Sequence, residues 1–185
     1  MSKEKSKSKE EKQERRITAI VDKQLGRALS LSTARNDGRY TLDFIYFNSN
    51  DKVLVATNAR AMLIVFPKPR GSLTEIYELE TGLYEITNGR LFKIDREDIN
   101  FPKYQGIVPK AKQICTGEAL RGIIQCMIEN KVYVNIWKFA KVLRILDKYS
   151  PDWIFTNNSP EEPVMMETEN GFYKIQYIMM PYRNK

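Results

Sequence analysis

The chain has 185 residues, enough for one domain or two small ones, and its 42% hydrophobic fraction is sufficient for a packed core. A formal net charge of +7 and a pI near 9.3 favour an anionic partner such as nucleic acid. The absence of histidine excludes the usual general base, the usual zinc ligand and every Ser-His or Cys-His pair, and Cys115 and Cys126 are too few for a disulfide scaffold or a cysteine-only metal site.

Residues 1–16 carry no large apolar side chain after Met1 and read as a disordered charged tail. Lys3, Lys5, Lys7, Lys9, Lys12, Arg15 and Arg16 outnumber its glutamates, as in a loose phosphate-binding arm or a solubilising tail. No apolar run reaches the roughly 18 residues of a membrane span, and no segment has the form of a signal peptide. Reduced thiols, a cytoplasmic setting and no membrane partner are therefore expected.

Order is expected from Ile17. Ile17, Val21, Leu25, Ala28 and Leu29 recur at helical spacing, or the first of them form a short strand before a helix capped by Asp22. Asn36-Asp37-Gly38 signals a turn. Strands over 40–48 and 52–66, joined at Asn50-Asp51, read as a hairpin that Pro67, Pro69 and Gly71 terminate. Residues 72–108 read as short strands around Asn88-Gly89, closing on a proline-containing stretch. Residues 116–129 fit a helix period, although their isoleucines also suit a strand. Residues 132–134 read as a short strand. Asn135 is placed to cap a helix running to about Tyr149, and Pro151 forbids much continuation. A strand over 153–156, a loop to Pro163 and two strands flanking Asn170-Gly171 complete the chain. In the last strand Tyr173, Ile175, Tyr177 and Met179 share a face. Strand or coil, helix, strand, strand occurs near both ends, which points to an internal βαββ duplication.

On the helix after Asn135, Lys138, Lys141, Arg144 and Lys148 fall within about a third of the circle. Phe139, Val142, Leu143 and Leu146 lie opposite. Lys23 and Arg27, at i and i+4, repeat the pattern on the first helix. Such faces are either phosphate-binding surfaces or ordinary solvated lysine faces.

Three segments resemble the bacterial DNA polymerase III sliding clamp family. Val55-Ala56-Thr57-Asn58-Ala59-Arg60-Ala61-Met62 is similar to the family's V-A-T-D-G-H-R-L. Phe101-Pro102-Lys103-Tyr104-Gln105-Gly106-Ile107-Val108-Pro109-Lys110 is similar to F-P-D-Y-R-R-V-L-P-K. Tyr177-Ile178-Met179-Met180-Pro181-Tyr182-Arg183 is similar to the terminal Y-V-V-M-P-M-R. The resemblance implies an α+β, clamp-like domain of two βαββ-type halves, mainly antiparallel sheet with two or three helices on one face. It is expected to span 17–185, with an insertion at about 70–130. It further implies that Thr57, Ala59, Met62, Pro109, Ile178, Met180, Pro181 and Tyr182 line an apolar groove for peptide motifs of polymerase or repair proteins.

The expected function is a non-enzymatic, clamp-like protein that tethers replication or repair partners to DNA. Lys23, Arg27, Lys138, Lys141, Arg144 and Lys148 would contact double-stranded DNA without sequence choice, and no cofactor is expected. A complete clamp subunit has three such domains, so a ring would require a homo-oligomer of this chain. The alternative is a protein-interaction adaptor with the same groove and no direct DNA binding, such as a phage or mobile-element accessory protein. A nuclease built on Asp95, Glu97 and Asp98 beside Lys93 is the enzymatic reading; against it, no Walker loop or Gly-x-Ser-x-Gly elbow occurs.

Overall fold

Near-continuous apolar runs in the central strands, such as Val53–Ala56 and Ala61–Val65, put apolar side chains on both faces and dictate a sheet covered on both sides. The computed structural model describes residues 17–34, 41–69, 74–96, 99–110 and 112–181. Among these residues are ten strands: β1 (Ile17–Ile20), β2 (Ile45–Asn48), β3 (Val53–Thr57), β4 (Ala61–Pro67), β5 (Gly82–Thr87), β6 (Arg90–Ile94), β7 (Gln113–Gly117), β8 (Trp153–Thr156), β9 (Val164–Glu169) and β10 (Tyr173–Met179). They form one antiparallel sheet in the order β1-β6-β5-β2-β3-β4-β10-β9-β8-β7. Helices α1 (Lys23–Ser32), α3 (Ala119–Asn130) and α4 (Ile136–Leu146) pack on it, and α2 (Thr74–Tyr77) is a single turn.

The duplicated plan is present. Strand, helix and a three-stranded meander occur as β1-α1-β2-β3-β4 and again as β7-α3-α4-β8-β9-β10. The two meanders meet where β4 pairs with β10, in unbroken register from Tyr173↔Pro67 to Met179↔Ala61. In the second unit β7 pairs directly with β8, whereas the β5–β6 hairpin separates β1 from β2 in the first.

The pleat divides the apolar residues between two cores. Leu54 and Ala56 of β3, Ala61, Leu63 and Val65 of β4, and Tyr173, Ile175, Tyr177 and Met179 of β10 join the large core under the helices. Val53, Val55, Met62, Ile64 and Ile178 point the other way, into a smaller core with Tyr104, flanked by Phe101, Ile107 and Val108. Segment 99–110 thus covers the face opposite the helices.

Asp22 caps α1, accepting from the N–H groups of Gln24 and Leu25 at 3.0 Å. Asn135 caps α4 through the Lys138 amide at 3.4 Å. Residues 119–130 are helix, which resolves the ambiguity over 116–129, and β7 precedes them as an additional strand. Three strand assignments are corrected. The strand expected over 40–48 begins only at Ile45, because Thr41–Phe44 make a turn in which the Phe44 N–H bonds Thr41 O at 3.3 Å. The strand expected over 52–66 is two strands, folded back at 58–60. Residues 132–134 form no strand; Val132 and Val134 instead drop into the helix-side core as the α3–α4 connection. The α4 helix also ends at Leu146, three residues short of Tyr149, with turns closed by the Lys148 and Tyr149 amides. The tail 1–16 and the Asn36-Asp37-Gly38 turn lie outside the described residues.

Gly122 lets α3 approach β8 closely. A Cβ there would stand 2.1 Å from the ring of Phe155, which is fully buried. Gly122→Ala is therefore expected to lower unfolding free energy by about 1–3 kcal/mol, read as a lower melting temperature.

Candidate functional site: a basic helix face and an apolar pocket

Helix α4 lies between α1 and α3, with Phe139 edge-on to Tyr177 of β10 at 6.2 Å between ring centroids. That contact seats the apolar side of α4 on the sheet and turns the opposite side outward. Lys138, Lys141 and Arg144 are exposed on α4, Lys148 on the turn after it, and Lys23 and Arg27 on α1. Neither α1 nor α4 contains an acidic residue, so these cations have no counter-charge on their own helices. Lys23 and Arg27 also border a depression of about 460 Å³ between α1 and the β5–β6 turn, with Thr87 and Asn88 opposite.

Asp22 joins the two helices. Besides capping α1, its carboxylate accepts a hydrogen bond from the Tyr149 hydroxyl, and Tyr149 lies edge-on to Tyr173 at 6.5 Å. The start of α1 is thereby held against the end of α4, and Lys23 and Lys148 come to the same end of the pair. Burial pushes the Asp22 carboxyl up, but bonds from Tyr149 and the Leu25, Gln24 and Lys23 amides outweigh it, and its pKa lies below the ordinary value. Because the folded pKa is depressed, this carboxylate's contribution is fully present above the unfolded value near 4. It is lost as pH falls through the lower folded value. Melting temperature should therefore drop as the medium is acidified below about pH 4, and Tyr149→Phe should flatten that part of the profile.

The second surface is an apolar cavity of about 230 Å³ on the face opposite the helices. Leu42, Thr57, Ala59, Arg60, Ala61, Met62, Pro102, Ile107, Ile178 and Met180 line it. Its rim is built by local hydrogen bonds. The Thr57 hydroxyl donates to Ala61 O at 2.8 Å and accepts from the Ala59 N–H at 3.2 Å. Asn58 Oδ1 accepts from the amides of Arg60 and Ala61 at 3.0 and 2.9 Å. The turn holds Ala59 at φ 64°, a left-handed conformation that favours glycine. The Met180 N–H then bonds Arg60 O at 2.8 Å, which ties the end of β10 to this turn.

Of the residues expected in a groove, Thr57, Ala59, Met62, Ile178 and Met180 meet around this one cavity. Pro109 and Pro181 are half-buried and fall outside its lining, and Tyr182 lies outside the described residues. Sequence reasoning did not assign Leu42, Arg60, Ala61, Pro102 or Ile107 to the lining. Arg60, Ala61, Pro102 and Ile107 belong to segments already singled out, but Leu42 carried no signal, since only the return of the chain before β2 places it there.

The acidic cluster has a different setting. Lys93 pairs with Glu80, Asp95 is exposed, and Glu97 and Asp98 lie outside the described residues. Among the described residues no group of three His, Cys, Asp or Glu side chains is arranged to hold a metal ion. The thiols of Cys115 and Cys126 lie 3.5 Å apart, and burial pushes both above the ordinary thiol pKa. Among the described residues no helix is long and apolar enough to cross a membrane.

No protein-family model and no curated protein sequence matches the chain. Solved structures do. The DNA polymerase sliding clamp of Bacillus subtilis superposes with a TM-score of 0.58 at 13% identity, covering 94% of this chain and 66% of the clamp chain. The Helicobacter pylori beta clamp bound to a DNA ligase peptide gives 0.56 at 15% identity, over 92% and 65%. The DNA polymerase III beta subunit of Pseudomonas aeruginosa gives 0.53 at 15% identity, over 89% and 66%. The chain thus has a sliding-clamp-like fold and spans about two thirds of the length of the clamp chains that it matches.

Proposed function

Starting from a clamp-like sheet with cations on one face and an apolar pocket on the other, we propose that the protein tethers a partner to double-stranded DNA without sequence choice and without chemistry of its own. The observation that carries this reading is the packing of α1 against α4 on one face of the sheet, with Lys23, Arg27, Lys138, Lys141, Arg144 and Lys148 all exposed and no acidic residue within either helix. Contacts between such cations and phosphates give affinity that does not depend on base identity and permits sliding. The cavity at Met62 and Met180 would take an apolar anchor from a linear peptide, methionine adapting its shape to varied side chains. Holding both ligands raises the effective concentration of the peptide's owner at DNA.

A ring around DNA would need several copies of the chain. Among the described residues the sheet ends in β1 and β7, and pairing between copies would use the outer edges of these two strands. The alternative, a protein-interaction adaptor without direct DNA binding, would use the pocket alone, and the cavity's apolar lining is what favours it.

Salt dependence of DNA affinity separates the two readings. If all six cations neutralise phosphates, log K against log salt should fall with a slope of about −5, and Arg144→Ala should reduce that slope by about 1. A chain that captures peptide but shows no salt-dependent retention of DNA would be an adaptor.

A further inference from the structure

Trp137 stands on the second residue of α4 and is 89% exposed, more than any other large hydrophobic side chain described. A single exposed apolar side chain needs no explanation by itself, but an indole flanked by cations presents a combined apolar and charged surface. The ring's neighbours on the helix define the chemistry of that surface. Lys141 is at i+4 and Arg144 at i+7, and Lys148 follows at i+11, so the ring lies in line with the basic stripe, at its N-terminal end. Lys141 and Arg144 lie about 6 and 10 Å further along the axis, a span of roughly two to three stacked nucleotides.

A flat apolar ring among cations matches a ligand that offers phosphates and π faces together. Nucleobases inside a duplex stack on one another and are closed to it, whereas an unpaired base is open on its face. An anionic lipid surface also combines charge with apolar matter. The apolar side of α4, however, is committed to the sheet through Phe139, Val142, Leu143 and Leu146, leaving no amphipathic face to insert.

We propose that Trp137 is a stacking platform for an unpaired nucleobase, so that the basic helix face holds single-stranded or gapped DNA more tightly than continuous duplex. This rests on the DNA-binding reading and names the form of DNA that the face prefers.

The chain reports on this directly, because its other tryptophan, Trp153, is fully buried with its indole N–H donating to Ser150 O at 3.0 Å. The full chain is titrated with oligo-dT, with a duplex of equal length and with the same duplex carrying an oligo-dT gap. Intrinsic fluorescence and anisotropy of labelled DNA are both followed. Oligo-dT and the gapped duplex should quench tryptophan emission, and intact duplex should bind without quenching. Trp137→Ala should weaken oligo-dT binding about tenfold, leave duplex affinity where it was, and be largely rescued by Trp137→Phe. The indole is exposed, so an unchanged melting temperature should accompany these effects.

Wild-type affinity of Trp137→Ala for oligo-dT would overturn the inference, as would equal losses on oligo-dT and duplex. It would also fall if quenching came only from phosphatidylglycerol vesicles, or if Trp137→Ala lowered the mass in solution, which would assign the ring to a lipid or to a second copy. Quenching by oligo-dT with no duplex binding would support stacking and sink the duplex-tethering reading. Duplex binding with no tryptophan response to any DNA would sink stacking alone.

Discussion

Replacing Lys138, Lys141, Arg144 and Lys148 together with glutamate is expected to abolish retention on double-stranded DNA at about 0.1 M salt. A cation that neutralises one phosphate releases about 0.9 of a condensed counterion, worth about 1.2 kcal/mol at that ionic strength. Losing four such contacts removes about 5 kcal/mol, or more than three orders of magnitude in affinity, before the repulsion of four new carboxylates is added. All four side chains are exposed, and the packing side of α4 is untouched, so the variant should fold. Anisotropy of labelled duplex against salt, with melting as the control, measures the effect. Salt-sensitive binding equal to that of the unaltered chain would show that DNA meets another surface.

The second large effect is expected at the pocket. Met180 lines the cavity while remaining half-buried, and its backbone N–H already holds the turn at Arg60. Its side chain is therefore available to a ligand at little structural cost. A short peptide with an apolar anchor is the probe, and the DNA ligase segment seen on the Helicobacter pylori beta clamp is a suitable first choice. Met180→Ala should weaken capture by about 2 kcal/mol, near thirtyfold, as truncation at the centre of an apolar site does. Met180→Asp should weaken capture further than Met180→Ala, because the incoming anchor would desolvate a carboxylate, a cost that Arg60 at the same cavity offsets only in part. Met180→Leu, close in volume, should retain most of it. Calorimetric titration of the peptide into each variant reads the result, and equal affinities across the three would remove the cavity from the binding site.

The two surfaces were legible to different degrees. The basic stripe of α4 follows from the spacing of Lys138, Lys141 and Arg144, and the structure exposes it as the period requires. Trp137 falls on the same stripe by the same period, but that so large an apolar ring stays in water is decided by the seating of α4 on Tyr177. The break between β3 and β4 was missed because Val53–Pro67 reads as nearly continuous apolar residues. What turns the chain there is a set of side-chain bonds from Thr57 and Asn58, with Ala59 accepting a conformation that its own side chain disfavours.

The residues by themselves determined the short-range features. Asp22 and Asn135 cap helices, Asn88-Gly89 and Asn170-Gly171 turn hairpins, and alternation in β10 sorts its side chains to two faces. Each of these depends on hydrogen bonds or packing within a few residues, where the chain has little freedom to choose otherwise. Tertiary structure decided that β4 pairs with β10, that β5 and β6 enter the sheet between β1 and β2, and that Leu42, Pro102 and Ile107 close a pocket with Met62 and Met180. Partners more than a hundred residues apart, such as Ala61 and Met179, are selected by burying both faces of the sheet at once, which no local pattern encodes.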